Sequence, residues 1–285
     1  MFLGHYSFAA LWEQEFMAIL VKAKHAPAKK INQMRTLLIA VLCSISLAQE
    51  HHDEASALGY STLPRGAVTV MGDDGLPEHY SLLYPELIAN GIPCTEAIVV
   101  GFLNKTGFIS SGQMKEMHAG GCDIENHSWT HSDMTKLTIS QMQHEYYDSL
   151  ISLQGYGMTP KHFILPRGAY NTTVIGQLQA CKINGIPCYK SVRSTDPGVN
   201  RLGQYTWNVR LYEVNLETTP AQIDTWISQA EQTNGWLILL LHRIRQDCQG
   251  YEWCTSPGML STVISKAKNS GLDLLSYADA WEEFK

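Results

Sequence analysis

The 285-residue chain has no Cys-x-x-Cys pair, no basic stripe after residue 48, and no apolar run of the length that spans a bilayer. The first absence argues against a cysteine-ligated zinc module. The second argues against a nucleic-acid partner, because nothing is arranged to neutralise a phosphate backbone. Charged residues are also sparse, at 17% against 45% hydrophobic, which excludes a disordered chain. The formal charge is -6, and residues 1–48 carry five lysines and arginines against two glutamates, so the remainder is more acidic still. The length suits one large core without requiring a second domain.

Residues 1–48 read as an upstream extension followed by a secretory leader. Met34-Arg35 precedes the apolar segment Thr36–Ala48, which ends in small residues before Gln49-Glu50-His51-His52. At about thirteen residues that segment is too short for stable membrane insertion. The expected mature protein is secreted, either free outside the cell or associated with a cell wall, with residues 49–65 leading into a domain over 66–285. His51 and His52 read as tail residues. An oxidising compartment changes the meaning of the six cysteines beyond Cys43, which are even in number and permit three bridges. Cys181–Cys188 and Cys248–Cys254 are the natural short loops, leaving Cys94 with Cys122, one of fifteen pairings that six cysteines allow. Sequons stand at Asn104, Asn171 and Asn126. The first two suit surface loops, whereas a glycan on Asn126 would crowd the histidine beside it.

Short apolar strands alternate with capped helices from about residue 60. Strands are expected at 67–71, 97–101, 123–126, 162–165, 208–215, 236–241 and 273–276. Helices are expected near 81–90, from the capping boxes Ser110/Gln113, Thr138/Gln141 and Thr219/Gln222, over 172–180, and behind Ser256-Pro257. Asn90-Gly91-Ile92-Pro93-Cys94 recurs as Asn184-Gly185-Ile186-Pro187-Cys188, and each copy reads as a joint between a helix and a strand. The alternation implies an α/β fold with a mainly parallel sheet of seven or eight strands and helices outside it; the expected form, as in the family resembled below, is a distorted (β/α) barrel of seven or eight mostly parallel strands. Such a barrel gathers the residues at its strand ends around one mouth.

Several chemically able residues fall at those ends. Asp73-Asp74-Gly75 closes the first strand, and His127-Ser128-Trp129-Thr130-His131 follows the third. Two carboxylates and two imidazoles four apart supply three metal ligands and leave one carboxylate free to move a proton, which is the equipment of metal-assisted hydrolysis. Taken alone, an Asp-Asp-Gly sequence is equally an ordinary acidic turn. The buried run Trp236–Leu241 delivers His242 to the same mouth, and Arg167 lies two residues beyond Leu165.

Together these pieces resemble the polysaccharide deacetylase family, of NodB-homology type, from about Gly66 to Trp281. Its usual Thr-Phe-Asp-Asp-Gly is matched by Val70-Met71-Gly72-Asp73-Asp74-Gly75 with the aromatic replaced by Gly72; its His-(Ser/Asn)-x-x-His is matched in full. The resemblance implies that Asp74, His127 and His131 bind one divalent ion, first Zn2+ with Co2+ or Mn2+ as alternatives. Asp73 is then the general base. His242, in Leu239-Leu240-Leu241-His242, is the general acid. The third motif departs from the family in Leu165-Pro166-Arg167-Gly168-Ala169-Tyr170: the backbone after Pro166 is expected to stabilise the oxyanion, while the arginine that orients the base has become Ile164. Arg167 is a candidate replacement for that arginine or a contact to an acidic sugar. Trp207 is a candidate wall of the acetyl pocket, Asp196 a candidate orienter of His242, Asp247 a second neighbour able to raise the acid's pKa, and Trp129 and Tyr170 candidate sugar platforms. For each aromatic, core packing is the competing reading.

The expected activity is removal of N-acetyl groups from an N-acetylglucosamine polymer such as chitin, a chitooligosaccharide or peptidoglycan. The alternatives are an acetylxylan or other carbohydrate O-acetyl esterase, and a catalytically weak glycan-binding homologue.

Overall fold

A computed structural model describes residues 65–204 and 207–285. The expected leader, its flanking extension, and His51 and His52 lie outside the described residues. Seven parallel strands form a closed barrel: β1 (Ala67–Asp73), β2 (Cys94–Ile98), β3 (Asp123–Asn126), β4 (His162–Ile164), β5 (Ser191–Pro197), β6 (Val209–Glu213) and β7 (Trp236–Leu241). Closure is made by β1 and β7, paired from Ala67↔Trp236 to Gly72↔Leu241. An eighth, two-residue strand, β8 (Asp273–Leu274), pairs with the first two residues of β1.

The two-residue periodicity of the strands sorts their side chains. Val68, Val70, Leu237, Leu239 and Leu241 face a cluster shared with the outer helices. Ala67, Met71, Trp236, Ile238 and Leu240 face a second cluster, completed by Tyr277, Ala280, Trp281 and Phe284 of the last helix. That helix closes the end opposite the mouth, with Tyr277 N donating to Thr95 Oγ1 and Ala278 N to Asp123 Oδ2. Since β7 is covered on both faces, all six of its residues are apolar and buried.

Helices begin where the side chains supply caps. Ser110/Gln113, Thr138/Gln141 and Thr219/Gln222 each form the full reciprocal capping box, and Ser256 accepts from Met259 N. All three bridges are present: Cys94–Cys122, Cys181–Cys188 and Cys248–Cys254.

Three expectations need correction. The second Asn-Gly-Ile-Pro-Cys copy is not a helix-to-strand joint. Asn184 and Gly185, both with positive φ, turn a small antiparallel hairpin in which Lys182–Ile183 pairs with Ile186–Pro187. The strand Ser191–Pro197 was not expected, because Ser-Val-Arg-Ser-Thr-Asp-Pro carries neither an apolar run nor regular alternation. The second strand also begins three residues early, at Cys94, because Glu96 is buried within it.

Candidate active site

Asp73 ends β1 on the same face as Met71 and is only 2% exposed. The chain then turns at Asp74 and Gly75, with φ of 82° and 71°. Positive φ at a non-glycine residue is costly, and Asp74, Ser128, His131 and Arg167 all adopt it. Their concentration at one mouth marks a backbone shaped for side-chain placement.

After β3, the buried Asn126 accepts from Ser128 N through Oδ1, and Ser128 Oγ accepts from His131 N. Glu145, buried in the following helical segment, accepts from Trp129 N at 3.0 Å, Thr130 N at 2.8 Å and Thr130 Oγ1 at 2.6 Å. One carboxylate thus templates the loop that carries both histidines. His127 Nδ1–H donates to Ile164 O at 2.9 Å, which fixes the tautomer and leaves the Nε2 lone pair facing the mouth.

Asp74 Oδ1 lies 3.5 Å from His127 Nε2 and 3.4 Å from His131 Nε2. It is buried without a hydrogen-bond partner. One ligand atom from each of the three residues falls within 4.8 Å of the others. Burial and the neighbouring His127 hold His131 down to about 4, so it stands as the neutral imidazole that a metal requires. An orphaned carboxylate oxygen facing two imidazole lone pairs fits a divalent ion.

Asp73 remains outside this trio, with Oδ2 3.6 Å from His127 Nε2. Burial by itself would raise its pKa. Arg193 overturns that effect: Nη2 donates to Oδ1 at 2.6 Å and Oδ2 at 2.5 Å, holding the carboxyl at about 2. Ile164 therefore does not leave the base unsupported, since the arginine comes from β5 instead. Arg167 has a different place from the one expected; its Nε donates to His131 O at 3.3 Å, tying the third-motif turn to the histidine loop. Pro166 is buried at the start of that turn.

His242 Nδ1 lies 2.8 Å from Glu213 Oε1. The approach is too oblique for a well-formed hydrogen bond, so the link is chiefly electrostatic. Burial opposes the imidazolium, but Glu213 and the Asp73 and Asp74 charges raise its pKa. Asp196 is not its orienter, because it accepts from Tyr170 Oη at 2.8 Å and Asn208 Nδ2 at 2.9 Å. Asp247 instead accepts from Gln249 N in an exposed turn. Trp207 packs against the cluster holding Leu165, Val174 and Leu178. Trp129 lies against His144, with ring centroids 4.8 Å apart, while Tyr170 is 37% exposed.

Gly72 also acquires a physical reason. A Cβ there would stand 2.5 Å from Glu96 Oε2 and 2.6 Å from His79 Nδ1. His79 is fully buried and faces only acceptors: Nδ1 meets Glu96 Oε1 at 2.9 Å and Nε2 meets His242 O at 2.7 Å. Both nitrogens donate, so the ring is an imidazolium. Although burial would lower its pKa, Glu96 lifts it to about 9. Glu96 Oε1 also accepts from Gly75 N, so one ion pair braces both the metal turn and the strand end that carries His242.

Residues 60–186 match the polysaccharide deacetylase family model. The Bacillus subtilis protein YxkH, named as a polysaccharide deacetylase, is 33% identical over 82 residues, which cover 29% of each chain. Among solved structures, the Xyl-CE4 domain of a multidomain xylanase from the hindgut metagenome of Trinervitermes trinervoides aligns with TM-score 0.54 and 19% identity, over 77% of this chain and 91% of that one. A family 4 acetyl xylan esterase from Clostridium thermocellum, bound to cobalt, aligns with TM-score 0.53 and 20% identity over 76% and 90%. At these identities the solved structures establish likeness of fold.

Proposed function

Because the chain belongs to the polysaccharide deacetylase family, matched over residues 60–186, we propose that it is a metal-dependent hydrolase that removes acetyl groups from an acetylated glycan. The observation that carries this is the convergence of three metal-ligand atoms with an ionised Asp73 and with His242, whose pKa Glu213 raises. Asp74, His127 and His131 would hold the ion, Zn2+ first and Co2+ or Mn2+ next. When bound, it supplies Lewis-acid activation of water and of the acetyl carbonyl.

The chain's residues then divide the proton transfers. Asp73, kept charged by Arg193, takes the proton of the water that adds to the acetyl carbon. The backbone beside Pro166 is proposed to donate to the oxyanion that forms. As the bond to the glycan breaks, His242 gives its proton to the departing oxygen or nitrogen. The products are acetate and a free hydroxyl or amine.

Within this class, O-acetyl esters on a xylan-type chain stand first: one solved relative above is named an acetyl xylan esterase, and the other is a domain of a xylanase. N-acetylglucosamine polymers, including chitin and peptidoglycan, stand second; the raised pKa of His242 favours its proton-donating form and supports them, because an amine leaves only after gaining a proton. Three disulfides support a secreted location.

The test is acetate release by metal-reconstituted protein from acetylated xylooligosaccharides and chitooligosaccharides, beside Asp73→Asn and His242→Ala. Release that requires Asp73 supports the proposal. A chelated protein as active as the reconstituted one, or no release from either substrate, removes it.

A further inference from the structure

We propose that Trp253 is the stacking platform of a sugar-binding subsite beside the reacting acetyl group, its ligand a neutral pyranose unit of the glycan chain. The subsite rests on the glycan reading above. Trp253 is 46% exposed, whereas Trp236 and Trp281 are 1% and 8% exposed. Its ring centroid lies 6.3 Å from that of His242, at an interplanar angle of 40°. A large apolar ring is therefore open to solvent within one ring's reach of the group that protonates the leaving atom.

The platform is held in place before any ligand arrives. The loop that presents it is closed by Cys248–Cys254. It is pinned to the segment leaving His242, as Arg243 N donates to Trp253 O at 3.1 Å and Arg245 N to Thr255 O at 2.9 Å. Tyr251, 40% exposed in the same loop, lies 5.0 Å from the guanidinium carbons of both Arg243 and Arg245, and Arg245 Nη1 donates to its hydroxyl at 3.1 Å. A rigid loop loses little entropy on binding, which is the condition for a shallow surface to hold a ligand. The face of a pyranose presents C–H groups of partial positive charge, complementary to the negative face of the indole.

Calorimetric titration of the full chain with unacetylated xylotetraose, and separately with chitosan tetrasaccharide, tests the proposal without turnover. Trp253→Ala should weaken binding roughly tenfold, and Trp253→Phe should restore most of it. Equal affinity in the parent and Trp253→Ala, failure of Trp253→Phe to restore binding, or no binding of either saccharide by the parent would overturn it. Loss of binding in Trp253→Ala from a protein that releases no acetate upholds the subsite while removing the hydrolase reading.

Discussion

Replacing Arg193 with methionine should raise the Asp73 pKa and so diminish the pH-dependent stability that Asp73 contributes. In the parent, Arg193 holds Asp73 at about 2 against an ordinary 3.8. At 1.36 kcal/mol per unit, that difference corresponds to about 2 kcal/mol of stabilisation. A depressed carboxylate pKa stabilises above 3.8, and the contribution is lost as pH falls toward 2. Without Arg193, burial is opposed only by the His127 and His242 charges, so the pKa climbs from about 2 and the stability gained above it shrinks. The buried unpaired charge adds a loss of about 3–5 kcal/mol at neutral pH. Denaturant unfolding of chelator-treated protein across pH measures both effects. Arg193→Met combined with Asp73→Asn should recover much of the loss, since neither partner then carries a buried charge. Parallel pH profiles for parent and Arg193→Met would refute the assignment of Arg193 as the group that keeps Asp73 ionised.

Asp74→Ala and His131→Ala should each abolish retention of a stoichiometric divalent ion on equilibrium dialysis, whereas Asp73→Asn should retain it. Glu213→Gln removes a group that raises the His242 pKa, so the alkaline limb of acetate release should move to lower pH; an unchanged limb would mean that Glu213 does not act on His242. The raised pKa of His79 stabilises fully below 6.5 and is lost as pH rises through about 9, so His79→Gln should flatten that alkaline decline in melting temperature. In a glycosylating host, peptide mapping should find Asn126 unmodified, because its amide is buried and donates to Ser149 Oγ at 2.8 Å and Tyr189 Oη at 2.6 Å.

The residues that gather at the candidate site were legible because their signals are local. Asp73-Asp74-Gly75, His127 with His131, and His242 behind an apolar strand each announce themselves within a few positions, and capping pairs such as Thr219/Gln222 do the same for helix starts. Their supports were not legible. Arg193 sits on a strand where Ser191, Arg193 and Ser194 are polar and yet buried, and the barrel mouth pairs Arg193 with Asp73 from 120 positions away. Periodicity reads apolar faces, so a strand buried through ion pairing leaves no trace in it. Glu213 is likewise an unremarkable glutamate at a strand end, while Asp196 and Asp247 were nearer in pattern but bonded elsewhere. Glu145, which shapes the histidine loop, was expected only as part of a helix.

The Gly72, His79 and Glu96 trio bears on how this mouth changes under mutation. A bulkier residue at position 72 collides with two buried partners at once, and deleting either partner strands the other's charge in the barrel wall. Single steps away from the trio therefore pass through a damaged protein, and His79 and Glu96 can be given up only together. Laboratory libraries that vary these positions one at a time would record each as intolerant, whatever a joint replacement of the ion pair allows.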